Sequence, residues 1–138
     1  MAVKSLETLI KLQKTFVDEQ RIHLARLQDN LEAIDNRIVE LEIRKARELE
    51  AARDEAARAT YGAFLGAMVE QGRALEKDRQ TAALAVKIAQ EKLAELFEEQ
   101  KRYEIAEEQR LATEAKKERR RETIDLDEIG GVMHERNK

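Results

Sequence analysis

Residues 3–41 read VKSLETLIKLQKTFVDEQRIHLARLQDNLEAIDNRIVEL, and they set one seam in alternating steps of three and four. The seam runs Val3, Leu6, Ile10, Gln13, Val17, Gln20, Leu24, Leu27, Leu31, Ile34, Ile38 and Leu41. Only Gln13 and Gln20 on it are polar. A seam of about five heptads winds a left-handed coiled coil and needs a facing helix to receive its knobs. It continues weakly through Lys45 and Glu48 into the alanine-rich residues 50–59, where Ala, Glu and Arg sustain helix by propensity.

A second seam runs through Tyr61, Leu65, Met68, Gly72, Leu75, Arg79, Ala82, Val86, Ala89, Leu93, Leu96, Gln100 and Tyr103. Extending the first seam reaches Ala52, Glu55, Ala59 and Gly62 and so misses Tyr61 and Leu65. Such a phase slip reads as a chain reversal, with Thr60 as N-cap of the second helix. The expectation is an all-α fold, a long antiparallel two-helix coiled coil forming one hairpin domain. Helix 1 spans about 3–57, a short turn lies near 57–62, helix 2 spans about 61–122, and a tail occupies 123–138.

Each arm would be roughly 85 Å long at 1.5 Å per residue. A reversal near position 59 places Gln20 near Gln100, and Gln13 near Tyr103 and Glu107; polar groups at matching heights on a seam fix register at some cost in stability. Glu7 with Lys11, Glu40 with Arg44, Asp54 with Arg58 and Glu98 with Arg102 are spaced to pair on exposed faces. Beyond Ala115 the seam stops at Lys-Lys-Glu-Arg-Arg-Arg (116–121). The paired glycines Gly130 and Gly131 then end the helix, and the residues after them fray.

Composition supports the helical reading and narrows the function. The 138 residues contain no Pro, Cys or Trp, 5 Gly, 3 Phe and 2 Tyr, and 40% are charged. This is the profile of long helices, and the scarcity of β-branched and aromatic residues opposes a sheet. Without cysteine there is no disulfide, thiolate nucleophile or sulfur-based zinc site. No run reaches the roughly 20 apolar residues that span a bilayer, so a cytosolic location is expected. With 26 basic residues against 29 acidic the formal charge is -3, which disfavours a general nucleic-acid binder because phosphate contacts need surplus positive charge.

Chemistry finds little purchase. Glu19 lies one turn before His23, but no second histidine on that arm completes a ligand set, and His134 is far away in sequence. A two-helix hairpin offers no desolvated cleft to separate the pKa values of two carboxylates, and no phosphate loop or nucleophile motif occurs. No enzyme activity, cofactor or metal is expected. Gly62 and Gly66, at G-x-x-x-G spacing, read as a close backbone approach near the turn. The 116–121 run reads either as a solvated face diluted by Glu114, Glu118 and Glu122 or as a protein-docking surface. Phe64 stands beside the seam; it is either an interface anchor or a residue that widens the seam. Phe16 and Phe97 flank the seam in the same way.

The opening KSLETLIKLQKTFVDEQRIHLARLQ, the stretches YGAFLGAMVEQGRALE and FEEQKRYEIAEEQR, and the ending IDLDEIGGVMHERNK together resemble the flagellar type III export proteins of the FliJ family, in their alphaproteobacterial form. The ending is the most specific. The resemblance implies a stalk-like hairpin whose terminal end enters the ring of the export ATPase, whose other surface meets the membrane export gate, and which handles export chaperones during flagellum assembly. Carried over by position, the ring-facing residues are Leu6, Leu9, Lys11 and Lys14 with Arg119, Arg120, Asp127 and Glu128. The gate-facing residues are Phe64, Met68, Gln71 and Leu75. Gly62, Gly66 and Gly72 depart from the family by loosening the start of the second helix.

That role implies a cytoplasmic protein associated peripherally with the inner membrane at the flagellar base and monomeric on its own. The competing reading is a general coiled-coil scaffold or adaptor working as a parallel dimer.

Overall fold

The computed structural model describes residues 2–136. It contains two helices, α1 (Ala2–Ala51) and α2 (Glu55–Arg136), packed as an antiparallel helical hairpin, with no strand among the described residues. Between positions 5 and 50, the α1 residues withdrawn from solvent are the predicted seam from Leu6 to Leu41, then Lys45, joined by Asp35. Val3 opens the predicted seam, and its side chain lies outside the described residues. On α2 the whole predicted seam from Tyr61 to Tyr103 is at least half-buried, and Glu107 and Arg110 extend it. Each helix is thus the partner the other one needed.

Contacts divide the hairpin into two units. In the unit of residues 16–95, Leu41, Met68 and Leu75 form a buried cluster against which Ile38 and Phe64 pack. Farther along, Gln20 donates its amide to the Ala89 carbonyl at 3.1 Å, and Arg79 Nε donates to Asp35 Oδ1 at 2.7 Å. In the unit of residues 1–15 with 96–138, Gln13 is 4% exposed. Its amide donates to the Leu96 carbonyl at 2.9 Å and to Glu99 Oε2 at 3.2 Å.

The turn lies at 52–54, earlier than the expected 57–62. Asp54, not Thr60, is the N-cap: its carboxylate accepts from the Ala57 amide at 2.6 Å, and its carbonyl accepts the first helical bond, from Arg58. A short acidic side chain satisfies an amide at the N-terminus of α2 that has no helical partner and complements the helix dipole there. The side chain of Asp54 is therefore engaged in a cap. Thr60 sits inside α2, its hydroxyl bonded to the Ala56 carbonyl.

Moving the reversal toward the N-terminus shifts every facing pair, because each residue of displacement changes the partner by two. Gln13, expected near Tyr103 and Glu107, meets Leu96 and Glu99, and Gln20, expected near Gln100, meets Ala89. Both seam glutamines still bond across the hairpin.

The C-terminal expectation also changes. Helix continues from 123 to Arg136 through Gly130 and Gly131, neither of which adopts positive φ. A C-capping glycine works by entering the left-handed region, and these two do not. Asn137 and Lys138, the end of the expected tail, lie outside the described residues.

Candidate protein-docking surfaces

Near the turn, α1 and α2 bring aromatic and basic side chains together. Phe64 lies 6.4 Å from Tyr61, centroid to centroid, at a tilt of 36°, and the Arg44 guanidinium carbon stands 5.1 Å from the Phe64 centroid. A partly exposed cation over a ring contributes about 0.5–1 kcal/mol. The inner side of Phe64 packs on the Leu41, Met68 and Leu75 cluster, so the ring widens the seam while its rim stays open. The open space by the turn, about 280 Å³, is lined by Glu48, Ala51, Ala52, Ala57, Thr60, Tyr61 and Phe64.

Of the four residues assigned to a gate-facing surface, Met68 is 2% and Leu75 is 9% exposed. Both fill the core and cannot meet a partner while the hairpin is closed. Gln71 is exposed and borders a shallow groove of about 180 Å³ with Arg37, Glu40, Leu41, Arg44 and Leu75. Gly62 and Gly66 have nothing within 4 Å of where a Cβ would stand, so the spacing marks no close approach of backbones. Gly72 is the glycine at the helix contact, 3.5 Å from a Leu41 methyl.

In the other unit, Leu6 is half-buried on the seam, whereas Leu9, Lys11 and Lys14 are exposed on α1. Arg110 closes the paired part of α2: it bonds Glu107 at 2.6 Å and Glu114 at 3.0 Å, with side chains of Arg110 and Glu107 only 20% and 18% exposed. The Arg110 hydrogen bond holds the Glu107 carboxyl below its ordinary range. From Leu111 to Arg136 every residue is exposed, Arg119, Arg120, Asp127 and Glu128 among them. At 1.5 Å per residue, Arg119 lies roughly 13 Å beyond Arg110 and Asp127 roughly 25 Å. The two sets of ring-facing residues belong to one unit but do not form one patch.

Sequence reasoning missed Arg44 and the Asp35–Arg79 bridge. Arg79 was visible as a basic residue on a seam, but finding its partner required the correct register. Arg44 was assigned to Glu40 by spacing, and only the fold sets it over Phe64. Among the described residues, no group of three or more His, Asp or Glu could hold a metal, and no helix is long and apolar enough to cross a membrane.

These features define a two-helix coiled-coil protein whose exposed surface is made of helical faces. The family described as "Flagellar FliJ protein" matches residues 2–138, and the chain belongs to that family. It is accordingly a non-enzymatic component of the flagellar export apparatus. No curated protein and no solved structure matches it.

Proposed function

We propose that this protein is a stalk-like element of the flagellar type III export apparatus, linking the export ATPase ring to the membrane export gate and handling export chaperones. The observation that carries the reading is the run of α2 beyond Arg110, exposed on all sides through Arg136. A helix that projects past its partner can enter a ring without unpacking the hairpin. Arg119, Arg120, Asp127 and Glu128 supply its charged contacts, and Leu9, Lys11 and Lys14 flank the paired helices nearer their base. The gate surface consists of Phe64 and Gln71, with Met68 and Leu75 supporting Phe64 from beneath. The protein works in the cytoplasm, peripherally at the inner membrane.

The test is to mix the purified chain with the export ATPase and measure ring assembly and ATP turnover. Both should rise, and Arg119→Glu with Arg120→Glu should abolish the rise while leaving the helical signal intact. Turnover and oligomerisation that stay unchanged across a wide concentration range would sink the ring assignment. For the gate, Phe64→Ala should weaken binding to the cytosolic part of the gate protein more than Gln71→Ala does.

A further inference from the structure

The cleft beside the turn, about 280 Å³, lies between Glu48, Ala51 and Ala52 at the end of α1 and Ala57, Tyr61 and Phe64 at the start of α2. Small alanine side chains make the room, and Glu48 is the only charged lining residue among those described. Glu48 continues the α1 seam after Leu41 and Lys45, and the register that sets Gln20 against Ala89 sets it at the height of Tyr61. An apolar side chain at that height would close the hairpin; in its place stands an exposed carboxylate. Among the described residues this carboxylate has no ion pair and no hydrogen bond. Arg44 lies over Phe64, Lys45 pairs with Glu42 at 3.1 Å, and Arg53 Nε donates to the Glu50 carbonyl. Arg47, next to Glu48 in sequence, does not line the cleft.

Two further sources of negative potential reach the same space. The last turn of α1 carries no basic residue, and the final carbonyls of a helix hold about half a negative elementary charge. Tyr61 and Phe64 add the negative faces of their π-systems. The molecule itself shows what such a ring accepts, since the Arg44 guanidinium already stands over Phe64. Small-molecule clefts begin at about 300 Å³, so this one is sized for a single side chain.

We infer that this cleft receives an arginine side chain of a protein partner, its guanidinium bonded to the Glu48 carboxylate and stacked on Tyr61. Arginine suits the site better than lysine, because its planar fork bonds a carboxylate through two N–H groups while lying on a ring. Phe64 belongs both to the cleft and to the proposed gate surface, so the partner is the cytosolic part of the export gate. The inference rests on that reading and adds Glu48 and Tyr61 to it.

Calorimetric titration of the full chain with the cytosolic part of the gate protein tests it. Glu48→Gln should weaken binding about tenfold, as for a lost hydrogen bond to a charged group. Tyr61→Leu should weaken it about threefold, whereas Tyr61→Phe, which keeps the ring, should be nearly neutral. Glu50→Gln removes the same charge from a residue outside the cleft and should change binding by less than about twofold. Arg44→Gln should not strengthen binding, and far-UV circular dichroism checks that each variant keeps its helices. If Phe64→Ala weakens binding and Glu48→Gln does not, the inference is overturned and the gate reading stands. Equal losses at Glu48 and Glu50 overturn it as long-range electrostatics, and a gain on Arg44→Gln overturns it as a site served by the chain's own arginine. A wild-type chain that does not bind the gate overturns both.

Discussion

Replacing Gln13 by leucine should stabilise the hairpin, and replacing it by alanine should destabilise it. Gln13 is 4% exposed and spends its amide on the Leu96 carbonyl and the Glu99 carboxylate. Leucine forfeits both bonds, together about 1–2 kcal/mol. Neither acceptor is stranded, since the Leu96 carbonyl retains its bond within α2 and Glu99 is exposed to water. The substitution buries a leucine side chain, which contributes about 1.5–3 kcal/mol. The balance favours Leu by about 1 kcal/mol. For a chain of this size that raises Tm by about 3 °C.

Alanine loses the same bonds and leaves a void, for a loss of about 1–3 kcal/mol. Urea unfolding followed by far-UV circular dichroism separates the two signs. A Leu variant less stable than wild type by more than about 1 kcal/mol would refute the reasoning, since it would mean that the two hydrogen bonds outweigh apolar burial on this seam. Gln13 would then be a source of stability instead of a device that selects register.

Four further outcomes follow from the same geometry. Asp54→Ala should cost about 1 kcal/mol through loss of the cap on the Ala57 amide, whereas Thr60→Ala should change stability by no more than a few tenths; urea titration of both compares the true and the expected N-caps. Gly130→Ala and Gly131→Ala should each raise the helicity of the C-terminal segment, worth about 0.8–1 kcal/mol per site, as read by amide hydrogen exchange. Cysteines at 20 and 89 should form a disulfide within one chain, and preferential bonding between cysteines at 24 and 93 would restore the register of a reversal at 59. Because Arg110 depresses the Glu107 carboxyl in the folded state, its contribution is complete above the ordinary value of 4.5 and is lost as pH falls through the lower folded value. Glu107→Gln should flatten the stability profile in that acidic window, measured by thermal unfolding from pH 6 down to about pH 3.

Heptad periodicity alone identified the seams from Leu6 to Leu41 and from Tyr61 to Tyr103, though not the exposure of Glu48 or the half-burial of Asp35 and Phe64, because a coiled coil buries one side chain in every three or four and leaves most others in water. Family membership was legible in the ordered segments and distinctive ending of the chain. Location of the turn was not. Ala51, Ala52 and Arg53 are helix formers, Asp54 is spaced equally well to pair with Arg58 or to cap, and no Gly or Pro punctuates the stretch, so local propensity is nearly neutral about where the chain reverses. The reversal is set by which alignment buries both seams at once, a property of two helices together. Everything that depends on facing partners followed from it: Gln13 on Leu96, Arg79 on Asp35, and Arg44 over Phe64. Burial likewise keeps Met68 and Leu75 on the seam where the periodicity put them and off the gate-facing surface that the family resemblance implied for them. What lies along one helix is written in its spacing; what lies across from it is decided only when the second helix has docked.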